Sequence, residues 1–270
     1  MKNIITVLDA HHQSQGAIDL SCYLTKLTGA TLSGIFPAYP TDTHTPFARF
    51  IHDSAPSVVE NQRKAQQIED AIAHFRQICL QQDMDCRIHR NIDDPATDLV
   101  TETLFADVLI VDEAVSFSDA DNKVPSKFVI SLLSHAKCPV IIAAASFQPI
   151  EEIILAYDGS YSSLFAIKQF TYLFPELHDR KIVVVEVTDT GEIVESDRLG
   201  DWLDLYYTGV VYETLAGNPG DRLFELMMSR RNVLLVTGAF GRNTLSSLFT
   251  SSTADKIIKV SSNAVFIAHH

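Results

Sequence analysis

Ile4-Ile5-Thr6-Val7-Leu8-Asp9 and Ile153-Ile154-Leu155-Ala156-Tyr157-Asp158 are one phrase written twice, an apolar run that ends in aspartate. Two further pairs follow in the same order. Ala106-Asp107-Val108-Leu109-Ile110-Val111 is matched by Arg231-Asn232-Val233-Leu234-Leu235-Val236, and Cys138-Pro139-Val140-Ile141-Ile142-Ala143 by Asn263-Ala264-Val265-Phe266-Ile267-Ala268. Asp94-Pro95 and Asn218-Pro219 each open a helical stretch with proline in its first turn. The spacing falls from 149 positions (4 to 153) to 125 (106 to 231), so the second copy lacks about two dozen residues from its middle. The chain therefore reads as two tandem copies of one unit, residues 1–148 and 149–270, joined at Ser146-Phe147-Gln148-Pro149.

The repeated runs are short, continuous and rich in Val and Ile, as expected of strands covered on both faces. Helical stripes lie between them: Ala17, Leu20, Leu24 and Leu27; Ala65, Ile68, Ile72, Phe75 and Cys79; Ile167, Phe170 and Phe174. Strands alternating with helices predict an α/β fold in each copy, a doubly wound parallel sheet with right-handed crossovers. Two segments escape the pattern. Residues 37–56 hold four prolines and little periodicity, the mark of a long loop or lid. Asp201-Trp202-Leu203-Asp204-Leu205-Tyr206-Tyr207 replaces the long second helix in copy two, either as a covering flap or as a core helix.

At 270 residues and 46% hydrophobic content the chain can bury one large core or two ordinary ones. No apolar run approaches the ~20 residues that span a bilayer, and the N-terminus meets Asp9 too early for a signal-peptide core. The expected location is the cytoplasm, with Cys22, Cys79, Cys86 and Cys138 as reduced thiols. Net charge is −13, spread as −7 over residues 1–148 (11 basic, 18 acidic) and −6 over 149–270 (10 basic, 16 acidic). Such a field disfavours nucleic acid and anionic membranes as partners, and an anionic ligand must be held by local donors.

Those donors are offered by one stretch, Gly238-Ala239-Phe240-Gly241-Arg242-Asn243-Thr244-Leu245-Ser246-Ser247-Leu248-Phe249-Thr250-Ser251-Ser252-Thr253. It follows a strand and precedes a predicted helix. Two glycines three apart allow close backbone approach to a ligand. Ser251, Ser252 and Thr253 place hydroxyls and free N–H groups at a helix N-terminus, where the dipole favours an anion. Arg242 can reach a phosphate in bidentate fashion. The Gly-Lys-Ser/Thr end of a Walker loop is missing.

Gly-x-x-Gly, nine residues, then a small residue and Ser resembles the nucleotide-binding motif of the universal stress protein family. Asp158-Gly159-Ser160 is similar to that family's opening motif, and Ala264 to Ala268 to its last strand. The resemblance covers essentially the whole chain, as a tandem universal stress protein, with the long motif present in copy two alone. It implies two five-stranded parallel sheets in strand order 3-2-1-4-5, an architecture shared with adenine nucleotide alpha hydrolases. The implied ligand is an adenine nucleotide, ATP or else ADP or AMP, with or without Mg²⁺. By position, Asp158 would sit by adenine and ribose and Val187 would present backbone to the base. Gly238, Gly241, Arg242, Ser251, Ser252 and Thr253 would hold the phosphates. Where the family usually has Gly, this chain has Ser251. If that Gly provides backbone clearance, Ser costs roughly 1 kcal/mol and crowds the phosphates; if the position is a helix N-cap, Ser serves as well.

Copy one lacks the loop. Shifted by 125 positions, Gly238 falls on Glu113, Gly241 on Ser116 and Ser251 on Ser126, and a carboxylate at 113 would repel a phosphate. Asp9, His11 and His12 lack an accompanying nucleophile motif, so no catalytic residue is assigned. Asp83, Asp85, Cys86 and His89 straddle a helix-to-strand turn where alternate residues face opposite ways, so no metal site is assigned. The expected function is regulatory nucleotide binding in the second domain. A nucleotide-free scaffold or dimerisation module and a slow ATPase are the alternatives. The apolar final strands, Val140 to Ala144 and Val265 to Ala268, lack edge-protecting charges and are expected to pair within one chain, leaving other surfaces for a possible homodimer.

Overall fold

The first apolar run of each copy becomes a central strand, and the rest of each sheet is laid down beside it. The computed structural model describes residues 1–10, 14–37, 58–91, 95–116, 125–238 and 263–268. The chain divides into two compact units, Met1–Cys138 and Pro139–His270.

In the first unit β1 (Asn3–Val7), β2 (Thr31–Pro37), β3 (Cys86–Asn91) and β4 (Val108–Asp112) form a parallel sheet in the order β3-β2-β1-β4. Every residue of β4 is buried, and its first four, Val108 to Val111, are the unbroken apolar run seen in the sequence. α1 (Gln15–Thr28) starts at Ser14, whose Oγ accepts the Ala17 N–H at 3.3 Å, and it buries Ala17, Leu20 and Leu24. The expected stripe on α2 (Val58–Gln81) is shifted at its start. Ala65 is exposed and Ile68 half-buried, whereas Ile72, Phe75 and Cys79 are buried together with Ala71 and Ile78. Periodicity alone does not say where a long helix first meets the sheet. α3 (Pro95–Thr103) begins at its expected proline. α4 (Lys127–His135) is capped by Ser126, whose Oγ accepts the Val129 N–H at 3.1 Å. The 38–57 part of the expected lid, and His11, His12 and Asp94, lie outside the described residues.

In the second unit β5 (Val140–Ala143), β6 (Glu152–Ala156), β7 (Lys181–Val187), β8 (Val211–Leu215), β9 (Val233–Gly238) and β10 (Ala264–Ala268) form one sheet. The five strands of copy two lie in the order β8-β7-β6-β9-β10, all parallel, which is the 3-2-1-4-5 arrangement. One feature differs from a five-stranded parallel sheet. β5 runs antiparallel to β10, with Val265 opposite Ile142, Phe266 opposite Ile141 and Ile267 opposite Val140, so six strands of this unit share the sheet among the described residues. The physical reason is that each of these strands is apolar and carries no charge that would keep its edge open. α5 (Tyr161–Leu173) buries Ala166, Ile167 and Phe170. Phe170 and Phe174, just past its end, meet Phe266 of β10 edge-on, with ring centroids 5.5 and 6.1 Å away. α6 (Ser196–Leu203) resolves the Trp202 segment as a packing helix. Leu199, Leu203 and Tyr207 are buried, and the Tyr207 hydroxyl bonds Thr171 Oγ1 at 2.8 Å. α7 (Pro219–Ser229) follows Asn218, whose Oδ1 accepts the Gly220 and Asp221 N–H groups. Among the described residues no helix is long and apolar enough to cross a membrane.

Candidate functional site

A cavity of about 370 Å³ opens at the C-terminal ends of β6, β7 and β9. In the order β8-β7-β6-β9-β10 the chain reverses direction across the sheet between β6 and β9, and such a switch point leaves a crevice that helices do not cover. The volume is that of a small-ligand pocket.

The turn from β6 into α5 forms one wall. Asp158 Oδ1 accepts the Ser160 N–H at 3.0 Å, Gly159 takes φ +72°, and Ser160 Oγ then caps α5 by accepting the Ser163 N–H at 3.1 Å. A side chain at 159 would be strained by that φ, and its Cβ would meet Val194 Cγ1 at 3.0 Å. Asp158 stays exposed, although nearby protein withdraws part of its water. That loss alone would raise its pKa, but hydrogen bonds from Ser160 and Ser163 outweigh it and hold the carboxyl below its usual range. The site therefore keeps a negative charge at neutral pH. Buried Glu186 ties down the chain leaving β7, its Oε2 accepting the Val194 N–H at 2.9 Å.

The other walls come from Val185 and Val187 on β7, from Thr237 and Gly238 at the end of β9, and from Asn218, Pro219 and Leu223 at the start of α7. Gly238 is forced by packing. A Cβ there would lie 2.5 Å from the Ser162 carbonyl oxygen, so α5 can approach β9 only over a glycine. Ser162 is 7% exposed and lines the cavity, and its Oγ has no hydrogen-bond partner among the described residues.

Of the residues named from sequence, Asp158, Val187 and Gly238 are brought to this one cavity from positions 29 and 51 apart. Gly241, Arg242, Ser251, Ser252 and Thr253 lie outside the described residues. Ser162, Ser163, Val185 and the Asn218–Leu223 turn were missed. The last of these had a signal, because Asn218-Pro219 marks a helix that must begin at the same sheet end as Asp158. Among the described residues no three His, Cys, Asp or Glu side chains form a group able to hold a metal ion.

The first unit is built differently at the equivalent place. Glu113, in the position of Gly238, is 5% exposed, and its Oε2 has no hydrogen-bond partner among the described residues. Burial first, then the charge of Asp112, pushes its pKa up to about 8. A raised carboxyl pKa means that the fold favours the protonated form. Its contribution is full below the ordinary value of 4.5 and is lost as pH rises from there through about 8. Glu113→Gln should therefore exceed wild type in stability at pH 8 by on the order of 3 kcal/mol, with the gap closing towards pH 4.5. Urea unfolding at the two pH values measures it, and a gap independent of pH would contradict the assignment.

Neither the family models nor the curated proteins give a match to this sequence. Solved structures do. A universal stress protein from Archaeoglobus fulgidus DSM 4304 is similar at a TM-score of 0.68 and 12% identity, covering 98% of each chain. A protein of unknown function from Pseudomonas aeruginosa PAO1 is similar at a TM-score of 0.60 and 11% identity, covering 99% of this chain and 92% of that one. At such identities the likeness is carried by backbone architecture, the repeated β-α units in their strand order. Over its full length the chain has the fold of a tandem universal stress protein.

Proposed function

We propose that this chain is a tandem universal stress protein acting in the cytoplasm as a regulatory module. In this reading it binds one adenine nucleotide, ATP in preference to ADP or AMP and with or without Mg²⁺, in its second repeat, and does not turn it over. The observation that carries the reading is the convergence of Asp158, Val187 and Gly238 on a cavity at the strand switch point. The unpartnered Ser162 hydroxyl inside that cavity gives a polar ligand something to bond. Ser126 supports Ser251 as an acceptable replacement for the motif glycine, because at the equivalent place in the first repeat it caps a helix. The buried carboxyl of Glu113 argues against a second nucleotide. The antiparallel match of β5 with β10 supports the expectation that the final strands of the two repeats cover each other's edges.

Gly241→Val tests the phosphate half of this reading. A side chain within the glycine pair should abolish ATP binding and leave the thermal midpoint within a few degrees of wild type. Unchanged ATP affinity in the folded variant would mean that the phosphates are held elsewhere.

A further inference from the structure

β8 is the outermost strand of the second unit, and among the described residues it pairs with β7 alone. The Leu215 carbonyl accepts the Thr188 N–H at 2.8 Å, so Leu215 turns its backbone groups to β7. Backbone groups alternate sides along a strand, which turns those of Val211 and Glu213 to β7 as well. Tyr212 and Thr214 then present their N–H and C=O groups outward, spaced for a further strand. Nothing in the strand guards them. Val211 to Leu215 holds no Lys or Pro, and its one charge, Glu213, is folded onto Arg230, which also holds Glu152. The outermost strand of the first unit, β3, instead carries exposed Arg87 and Arg90. Val211 and Tyr212 are each 40% exposed, so each face of the β8 edge carries apolar surface.

α6 lines the same edge with charge. On one flank Trp202 and the following Tyr206 turn to Tyr172 of α5, with ring centroids 6.2 and 5.8 Å away. On the side towards β8, a Cβ on Gly200 would meet the Tyr212 hydroxyl at 3.3 Å. Asp204, whose N–H donates to the Gly200 carbonyl at 2.9 Å, stands one turn further on the same side. Asp197, Asp201 and Asp204 fall in one row at helical spacing, and all three are exposed. Arg198 turns to Glu195 at 3.1 Å, and the three aspartates have no basic partner among the described residues. We propose that the β8 edge takes an extended basic segment of a partner protein as an added strand, paired with this aspartate row. Tyr212 and Thr214 supply the main-chain bonds. Alternate residues of the guest strand point the same way, so Lys or Arg at every second position meets the row. A second copy of this chain fits the edge badly. Two β8 strands joined antiparallel about a two-fold axis bring both aspartate rows to one face of the joined sheet, on chains of net charge −13.

The probe is a capped peptide of alternating lysine and valine, about six residues long as in an ordinary strand. It is titrated against the full-length chain and followed by amide hydrogen exchange. The Tyr212 and Thr214 amides should exchange freely in the free chain, and the peptide should slow both by about tenfold or more. A peptide with glutamate in place of lysine should not bind. Asp197→Asn, Asp201→Asn and Asp204→Asn combined should weaken the lysine peptide by about tenfold and remove most of its salt dependence. Thr214→Pro removes an outward N–H and leaves the bonds to β7 intact, so it should lose binding with a thermal midpoint within a few degrees of wild type. Methylating the backbone nitrogens of the peptide removes the same bonds from the guest side, on an unaltered chain, and should also abolish binding. The proposal is overturned if the lysine peptide leaves both amides unprotected, or if the glutamate peptide binds equally well. It is equally overturned if Thr214→Pro and the methylated peptide both bind as the originals do. Amides already protected in the free chain, together with a sedimenting dimer, would give the edge to a second copy and overturn it as well.

Discussion

Ile267→Lys should destabilise the second unit by on the order of 4 kcal/mol, with Ile142→Lys close behind. Ile267 is 1% exposed, paired with Thr237 of β9 on one side and Val140 of β5 on the other. Ile142 is 4% exposed and stands opposite Val265. Either lysine forfeits a buried aliphatic side chain, worth about 2 kcal/mol, and must desolvate an ammonium group or give up its proton. A lysine on an open, solvated edge strand would cost little, since such charges are a common protection of edges. Urea unfolding therefore separates a covered strand from an exposed one. Wild-type midpoints for both variants, with unprotected amides along β5 and β10 in hydrogen exchange, would contradict the pairing.

Gly238→Ala carries the second large effect, an expected loss of about 3 kcal/mol. The added carbon would sit 2.5 Å from the Ser162 oxygen and 2.6 Å from its carbonyl carbon, so the neighbour that must move is backbone in the first turn of α5. Relief requires α5 to lift from β9, disturbing the caps at Asp158 and Ser160. Hydrogen exchange should show faster amides at Ser162 and Ser163 than at Ile167, further along the helix. Wild-type stability for the alanine variant would contradict the close packing. A glutamate at 238 would unfold this turn and cannot report on ligand binding alone, which makes Gly241 the better position to probe the phosphates.

Gly238 also shows what a sequence can and cannot convey. A glycine at the end of a strand signals close approach, but not what approaches; here Ser162 packs against Gly238, and the same glycine also lines the cavity. The strands of copy two were legible because strands covered on both faces read as continuous apolar runs, as Val233 to Val236 of β9 does. The start of the α2 stripe was not, because Ala65 fits the helical period while staying exposed. The partner of β5 was legible only as a need for cover, since apolar edges call for pairing without naming a direction. Ser162 escaped notice because a serine in the first turn of a helix is ordinary, and only the absence of a partner for its Oγ marks it.

The proposed function requires one adenine nucleotide per chain, held in the second repeat. Titration calorimetry of the full-length chain with ATP and Mg²⁺ tests it most directly. Saturable binding at one ATP per chain is expected, lost in Gly241→Val and kept in Glu113→Gln. Two equal sites per chain, or no heat of binding with a folded protein and saturating ATP, would contradict it.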